Sequence, residues 1–311
     1  MQTPDITPEE LARSVIAVPP LARHADYALH EEQNRRVLDH LAEGGVTTAL
    51  YGGNANLYNM SVGEFGLLLD MLERIAPPQT WIIPSIGPDF GKALDQVAIL
   101  RERQFPTAMA LPLSFPADPA GVATGLRLIA ERYGRPLVAY VKSPDYIRPQ
   151  DLAALVADGA VCAVKYAIVR SDPEDDPYLA DLVRHVDTRL IVSGIGERPA
   201  ISHLTKFALT GFTSGSVCIA PALSTAMLRA LKAGDIRRAA GIREHFLPIE
   251  DLRDGQSPLR VLHAAVAAAG IAETGPLLPF LSDISDTGMR EDIARAARDL
   301  LARNAEALEA A

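Results

Sequence analysis

Lys165 closes an otherwise apolar run and is the residue in this sequence best suited to carbonyl chemistry. The run reads Val161-Cys162-Ala163-Val164 before the lysine, a pattern that predicts a buried β-strand. An amine at the end of such a strand is partly removed from water, which disfavours its ammonium form and lowers its pKa. A neutral lysine amine attacks a carbonyl carbon to form an imine, and the protonated imine then lets a neighbouring bond break. The alternative is a lysine that reaches solvent where the strand ends.

Tyr140 lies at the corresponding place in the preceding apolar run, Leu137–Tyr140. A phenol within hydrogen-bond reach of the imine could move protons while the imine forms and while the substrate bond breaks. For a single tyrosine, packing against neighbouring strands with a hydrated hydroxyl is the alternative. Lys142 is the competing amine, but it follows Val141 into a loop, so we expect it to be solvated.

Glycine-rich segments follow three further apolar runs and predict that a ligand approaches the backbone closely. Successive amide N–H groups in the first segment, Gly52-Gly53-Asn54, could surround a carboxylate, and the Asn54 side chain adds a donor. A simple tight turn is the alternative for such a short motif. The segments Ser193–Arg198 and Gly211–Ser216 follow two later runs. The candidate substrate-binding residues from these segments are Gly52, Gly53, Asn54, Gly194, Glu197 and Thr213.

Eight strands that alternate with helices are needed to bring these segments together. We predict strands near Ser14–Val18, Thr47–Leu50, Trp81–Pro84, Thr107–Leu111, Leu137–Tyr140, Val161–Lys165, Leu190–Val192 and Phe212–Ser214. Eight such units are typical of a (β/α)8 TIM barrel, in which the active site lies at the carboxyl ends of the strands. A doubly wound open sheet is the alternative, but the first strand is followed by Pro19-Pro20-Leu21 and lacks a glycine-rich fingerprint.

A helical region is predicted after the last strand. Its expected helices are Arg229–Ala233, Asp235–Phe246, Pro258–Ala269 and Met289–Leu308. We therefore expect a barrel with a short N-terminal helix over residues 1–233 and a C-terminal helical extension over residues 234–311.

Composition limits the partners and the location of the protein. The 311 residues carry a formal net charge of −9 and contain no basic run, which argues against nucleic acid and anionic membranes as partners. The N-terminus has no apolar signal segment, and the two cysteines lack disulfide or metal-ligand spacing, so we expect a cytoplasmic protein. The seven histidines are scattered without a two-histidine motif, so we expect no metal centre.

The order of these motifs resembles the dihydrodipicolinate synthase / N-acetylneuraminate lyase family of class I aldolases. The resemblance covers about residues 14–235, and the helical tail also fits. It rests on Gly52–Asn56 with Met60–Glu64, Tyr140 before Pro144, Lys165 25 residues later, Ser193-Gly194 and Gly211–Ser214. It implies that Lys165 is the Schiff-base lysine and Tyr140 a proton donor, with no cofactor. It also implies assembly into a homotetramer or dimer, with an interface near the loop after the fourth strand.

Three departures from the family pattern bear on the substrate. The family's Thr-Thr pair, which binds carboxylate and relays protons, is Gly53-Asn54 here. The tyrosine that synthases lend across a dimer interface corresponds to Ser114, which we include among the substrate-binding candidates. An arginine that holds a second carboxylate in synthases is missing after Tyr140, where Asp145 stands.

A Schiff-base lyase acting on pyruvate or a related 2-oxo acid is the function that these residues predict. Aldol cleavage, aldol condensation and dehydration of a 2-keto-3-deoxy sugar acid all remain open. Two alternatives are a barrel that binds a keto acid without turning it over and a dihydrodipicolinate synthase with an altered proton relay.

Overall fold

Eight parallel strands form a closed barrel in a computed structural model that describes residues 1–309. The strands pair in chain order, and β1 also pairs with β8, with Ile16 opposite Thr213. Helices alternate with the strands, so the predicted (β/α)8 TIM barrel with a C-terminal helical extension is confirmed. The strands are β1 Ile16–Ala17, β2 Thr48–Tyr51, β3 Trp81–Ile86, β4 Ala108–Ala110, β5 Leu137–Val141, β6 Val161–Tyr166, β7 Ile191–Ser193 and β8 Gly211–Ser214.

Thirteen α-helices surround and extend this barrel within the described residues. Eight belong to the barrel: α1 Pro8–Arg13, α2 Glu31–Glu43, α3 Val62–Ile75, α4 Phe90–Leu100, α5 Pro119–Tyr133, α6 Pro149–Ala157, α7 Pro177–His185 and α8 Ala200–Thr205. Five follow β8: α9 Pro221–Lys232, α10 Ile236–Arg243, α11 Leu247–Gly255, α12 Pro258–Ala268 and α13 Thr287–Glu309.

Each strand is buried along nearly its whole length because both of its faces are covered. β5 is buried at all five positions, and β6 is buried at every position except the partly exposed Cys162. Such unbroken apolar runs are typical of parallel sheets that pack against helices outside and other side chains inside the barrel. Lys165 is the one charged residue in these two strands, so the burial of its side chain follows from its place in the fold.

The C-terminal region contains one helix that was not predicted. The helix expected over Asp235–Phe246 is observed as α10, which ends at Arg243, and the unpredicted α11 begins at Leu247, beyond the expected range. Pro248 in the first turn of α11 favours this new start, because proline lacks the N–H that a continuing helix would use. The expected Arg229–Ala233 is only the end of α9, which begins at Pro221. The division into two domains at Ala233 stays a prediction.

Asn304 in α13 ties the C-terminal helix to the barrel. Its side-chain oxygen accepts the backbone N–H of Ala222 at 2.8 Å and that of Leu223 at 3.2 Å, in the first turn of α9. Ala220, at the N-cap position, has no side chain that could accept these bonds. The Asn304 side chain, 1% exposed, therefore caps α9 from a distant part of the sequence.

Asn304→Ala is expected to lower the free energy of unfolding by about 1–3 kcal/mol, because two buried N–H groups lose their acceptor. Urea denaturation followed by circular dichroism measures this change. Asn304→Asp keeps an acceptor oxygen beside the helix N-terminus and should retain most of the stability. Equal losses in the two variants would show that the capping bonds do not contribute.

Candidate active site

A cavity of about 470 Å³ opens at the carboxyl ends of the barrel strands. This is the end of the barrel at which the sequence predicted the site. Six of the nine predicted site residues line the cavity: Gly53, Asn54, Tyr140, Lys165, Gly194 and Thr213. The fold therefore brings together residues from β2, β5, β6, β7 and β8 that are up to 160 positions apart in the chain.

The amine of Lys165 lies inside this cavity and is shielded from bulk water. Its side chain is 4% exposed, and Nζ lies 3.8 Å from the centre of the Tyr140 ring. The two residues are direct partners in the β5–β6 ladder, which fixes their proximity. Burial, and then the positive charge of Arg253, lower the pKa of Lys165 to about 7. A large fraction of this amine is therefore uncharged and nucleophilic near neutral pH.

Tyr140 is suited to donate a proton rather than to carry a charge. Burial raises the pKa of its phenol above the ordinary value, so the hydroxyl stays protonated. Among residues 1–309, no group forms a hydrogen bond with this hydroxyl. Lys142, the competing amine, is exposed as predicted, although its side chain reaches the rim of the cavity. Lys165 and Tyr140 are therefore the candidate reactive pair.

Gly53 and Asn54, in the glycine-rich segment after β2, line the cavity and carry backbone N–H groups that have no acceptor within the described chain. The Asn54 amide donates to the carbonyl oxygen of Val18 at 2.9 Å, so its side chain fixes the loop to the end of β1. Gly52 lies beneath the cavity floor, where any side chain would meet Ser85 and Met109.

Gly194 allows the loop after β7 to pass close to Lys165. A Cβ at this position would lie 2.7 Å from the carbonyl oxygen of Tyr166 and 3.0 Å from Cγ of Lys165. Real Cβ atoms do not approach other atoms so closely, so a larger residue would push the lysine aside. Gly194 therefore shapes the cavity around the amine, and Thr213 lines its wall from β8.

Ser114 and Glu197 are not brought to the cavity. Ser114 is exposed on the loop after β4, where the prediction of an interface between copies stays a prediction. Glu197 is fully buried behind the cavity wall, and its two oxygens accept the hydroxyls of Ser224 at 2.7 Å and Ser214 at 2.8 Å. Its place in a loop rich in glycine suggested an exposed side chain, but two serines from β8 and α9 enclose it.

Glu250, from α11, is a partner of Glu197 that the sequence did not reveal. Its Oε1 accepts the backbone N–H of Glu197 at 2.9 Å, and the two carboxyl groups lie within hydrogen-bond reach of each other. Burial, and then the charge of Glu197, raise the pKa of Glu250 well above its usual value. Oε2 of Glu250 has no donor when both groups are ionised, whereas a protonated Glu250 can donate to Glu197. The raised pKa therefore favours the protonated form of Glu250.

Arg253 is a second residue of α11 that lies at the site and was not predicted from the sequence. Its half-buried guanidinium lines the cavity, and it donates to Ser216 Oγ at 3.1 Å and to the carbonyl oxygen of Pro258 at 3.4 Å. Glu250 and Arg253 are three residues apart, so they share a face of the helix. This spacing indicates a shared face only where a helix is predicted, and no helix was predicted over residues 247–255.

No group of three or more histidine, cysteine, aspartate or glutamate side chains within residues 1–309 has a geometry suited to hold a metal ion. Over the same residues, none of the helices combines the length and the apolar character that crossing a bilayer requires.

Comparisons with known proteins place this site in a family. The model of the dihydrodipicolinate synthetase family matches residues 13–297, and no curated protein matches the sequence. A dihydrodipicolinate synthase structure from Bacillus clausii is 22% identical with a TM-score of 0.80, covering 94% of this chain and 98% of the other. One from Agrobacterium tumefaciens is 15% identical with a TM-score of 0.83, covering 94% and 100%. A monomeric dihydrodipicolinate synthase variant is 16% identical with a TM-score of 0.81, covering 94% and 98%. At these identities the structures establish the fold.

The fraction of Lys165 modified by trinitrobenzenesulfonate is expected to reach half of its maximum near pH 7, because only the uncharged amine reacts. An ordinary lysine would need a pH of about 10. Peptide mass spectrometry over a pH series measures the fraction modified at Lys165. Lys165→Arg should remove the low-pH reaction and thereby assign it. A midpoint above pH 9 at Lys165 would contradict the lowered pKa.

Glu250→Gln is expected to stabilise the protein at pH 8 by about 1–2 kcal/mol, because the amide replaces a carboxyl that must keep its proton. The folded wild type binds more protons than the unfolded chain above about pH 4.3, so its stability falls as pH rises through this range. The variant lacks this slope, and its advantage should vanish toward pH 4.

Glu197→Gln is the matched control, since it removes the charged member that accepts two hydroxyls. It should destabilise the fold by about 1–3 kcal/mol at pH 8. Urea unfolding of both variants at pH 5 and pH 8 makes the comparison. A Glu250→Gln protein less stable than wild type at pH 8 would show that Glu250 is ionised.

Proposed function

The chain belongs to the dihydrodipicolinate synthetase family, and on this premise we propose that it is a lyase that forms a Schiff base with a 2-oxo acid. The observation that carries the proposal is the buried amine of Lys165, which faces the cavity with its pKa lowered to about 7. A lysine held in this way is costly to bury and is matched to attack on a carbonyl carbon.

The proposed reaction begins when Nζ of Lys165 attacks the keto carbon of the substrate. The addition gives a carbinolamine, which loses its hydroxyl as water after Tyr140 supplies a proton. In aldol cleavage, the protonated imine would accept the electrons of the C3–C4 bond while the C4 hydroxyl loses its proton, so that an aldehyde leaves and an enamine remains. In dehydration, C3 would lose a proton to give the enamine, which then expels the protonated C4 hydroxyl as water and leaves a conjugated imine. Protonation of the enamine after cleavage, and addition of water to the imine in both reactions, then release the product and restore the free amine. Tyr140, with its protonated hydroxyl inside the cavity, is placed to serve each proton transfer.

The N–H groups of Gly53 and Asn54 are the proposed contacts for the substrate's carboxylate. They come from adjacent residues and lack acceptors in the described chain, which is the arrangement of an anion-binding concavity. Burying a carboxylate near Lys165 also favours the protonated imine electrostatically.

The cavity favours a substrate larger than pyruvate alone. Its volume of about 470 Å³ lies within the range that encloses small-molecule ligands of many atoms. A 2-keto-3-deoxy sugar acid, which extends a pyruvate unit by a polyol chain, would occupy this space. Aldol cleavage and dehydration of such an acid are both consistent with the site, and assembly into a dimer or tetramer is part of the same proposal.

Sodium borohydride added with pyruvate is expected to fix a stable adduct on Lys165, because it reduces an imine to an amine. Mass spectrometry should locate the added mass on the peptide with Val164-Lys165-Tyr166 and not on the peptide with Lys142. Lys165→Ala should abolish trapping, and Tyr140→Phe should slow it roughly 10²–10⁴-fold, the usual contribution of a positioned proton donor.

A panel of 2-oxo acids and 2-keto-3-deoxy sugar acids then separates the alternatives. Release of pyruvate with an aldehyde identifies an aldolase, and loss of water without C–C cleavage identifies a dehydratase. Condensation of pyruvate with aspartate semialdehyde would identify a synthase with an altered relay. Trapping without turnover would favour a keto-acid-binding protein, and absence of any adduct would exclude the imine mechanism.

A further inference from the structure

Arg253 brings a positive charge into the cavity that no carboxylate neutralises directly. The neighbouring Arg198 forms ion pairs with Asp251 and Asp254. In the described part of the chain, by contrast, none of the ion pairs includes Arg253. A guanidinium that is half-buried and unpaired calls for an anion, because its desolvation is otherwise uncompensated.

The two nearby glutamates do not meet this need. Glu197 directs both of its oxygens to the hydroxyls of Ser214 and Ser224. Glu250 accepts the backbone N–H of Glu197 through Oε1 and forms no ion pair with Arg253 in the described chain, and burial and the charge of Glu197 raise its pKa well above the usual value. The charge of Arg253 therefore remains available for a ligand.

Two hydrogen bonds hold the guanidinium in place and leave Nη2 without a partner in the described chain. Nη1 donates to Ser216 and Nε to the carbonyl oxygen of Pro258. Nη2 forms no hydrogen bond with any of residues 1–309. A fixed guanidinium with free N–H groups is suited to bind a carboxylate, which accepts two parallel bonds.

Gly215 shows that Arg253 and the loop after β2 face the same small volume. A Cβ at Gly215 would lie 2.8 Å from Nδ2 of Asn54 and 2.9 Å from Nη2 of Arg253. Only glycine leaves room for both nitrogens beside the backbone. Asn54, whose backbone N–H has no acceptor in the described chain, therefore lies near the guanidinium, and Lys165 is close enough for the charge of Arg253 to lower its pKa.

We propose that Arg253 binds the carboxylate of the 2-oxo acid together with the backbone N–H groups of Gly53 and Asn54. The inference rests on the proposed function for the identity of the ligand. In this proposal, a residue of α11 recognises the acid group of the substrate. In the family pattern, two threonine hydroxyls at the positions of Gly53 and Asn54 bind the carboxylate. In this protein the guanidinium of Arg253 binds it instead.

Borohydride trapping with two probes tests this assignment. Pyruvate carries the carboxylate, whereas pyruvamide has the same ketone and a neutral amide in its place. Arg253→Met should raise the pyruvate concentration for half-maximal trapping by roughly 10- to 100-fold, which corresponds to a lost hydrogen bond to a charged group. The same variant should change the pyruvamide value by less than about threefold, because a neutral amide gains little from a guanidinium.

Two further variants separate charge from position. Arg253→Lys keeps the charge without the planar group and should fall between wild type and Arg253→Met with pyruvate. Arg198→Met removes an arginine whose charge is already compensated by two aspartates, so its effect on pyruvate should be smaller than that of Arg253→Met. Thermal unfolding of each variant checks that α11 remains folded.

The outcomes distinguish this inference from the function on which it rests. Equal half-saturation of wild type and Arg253→Met with pyruvate would overturn the role of Arg253 while leaving the imine mechanism intact. Equal losses with both probes would also overturn it, since the ketone or the fold would then be affected. If the wild type shows no adduct, calorimetry with pyruvate decides: binding lost in Arg253→Met supports the inference, and no binding by the wild type overturns it.

Discussion

The exclusion of water from one lysine amine is the constraint on which the site depends. An ammonium group in a barrel interior loses its hydration, so Lys165 becomes a neutral nucleophile only if the strands, the loops and α11 keep solvent away. The apolar residues of β5 and β6 supply part of this exclusion, and Gly194 lets the loop after β7 approach the side chain closely. Tyr140 completes the enclosure with a ring that lies across the amine. The same packing that stabilises the barrel therefore determines the reactivity of the site.

The C-terminal helices add charged groups to those that the barrel brings to the cavity. The barrel contributes Lys165 and the rim residues Lys142 and Arg198, whereas α11 contributes the guanidinium of Arg253 and the carboxyl group of Glu250. Glu250 joins this helix to the loop after β7 through the N–H of Glu197, and α12 contributes the carbonyl oxygen of Pro258 that holds Arg253. The position of α11 therefore affects both binding and the pKa of Lys165. A chain that stopped after α9 would keep the reactive pair and lose these contacts.

The sequence predicted the barrel and its reactive pair because both follow from local patterns. An apolar run that ends in a lysine predicts both a buried strand and the position of the only charge in that strand. α11 was not predicted from the sequence because its nine residues, with Glu250 and Arg253 on the cavity side, form only a weak apolar stripe. Helices this short also depend on packing more than on propensity. The burial of Glu197 could not be predicted either. Its partners Ser224 and Glu250 lie 27 and 53 positions away, and no local pattern records such a pairing.

Replacement of the family's two threonine hydroxyls by a guanidinium would alter proton transfer in the reaction as well as binding of the carboxylate. Two threonine hydroxyls can accept a proton from one neighbour and donate one to the next, so they can both bind a carboxylate and relay protons. An arginine binds an acid more strongly but keeps its proton at every pH in which the fold persists. With Gly53-Asn54 in the loop and Arg253 near it, proton transfer at the proposed imine would fall to Tyr140 alone or to water admitted through the cavity mouth. The proposed chemistry must then proceed with one protein proton donor near Lys165, which favours reactions in which the substrate's own hydroxyl group takes part in the transfer.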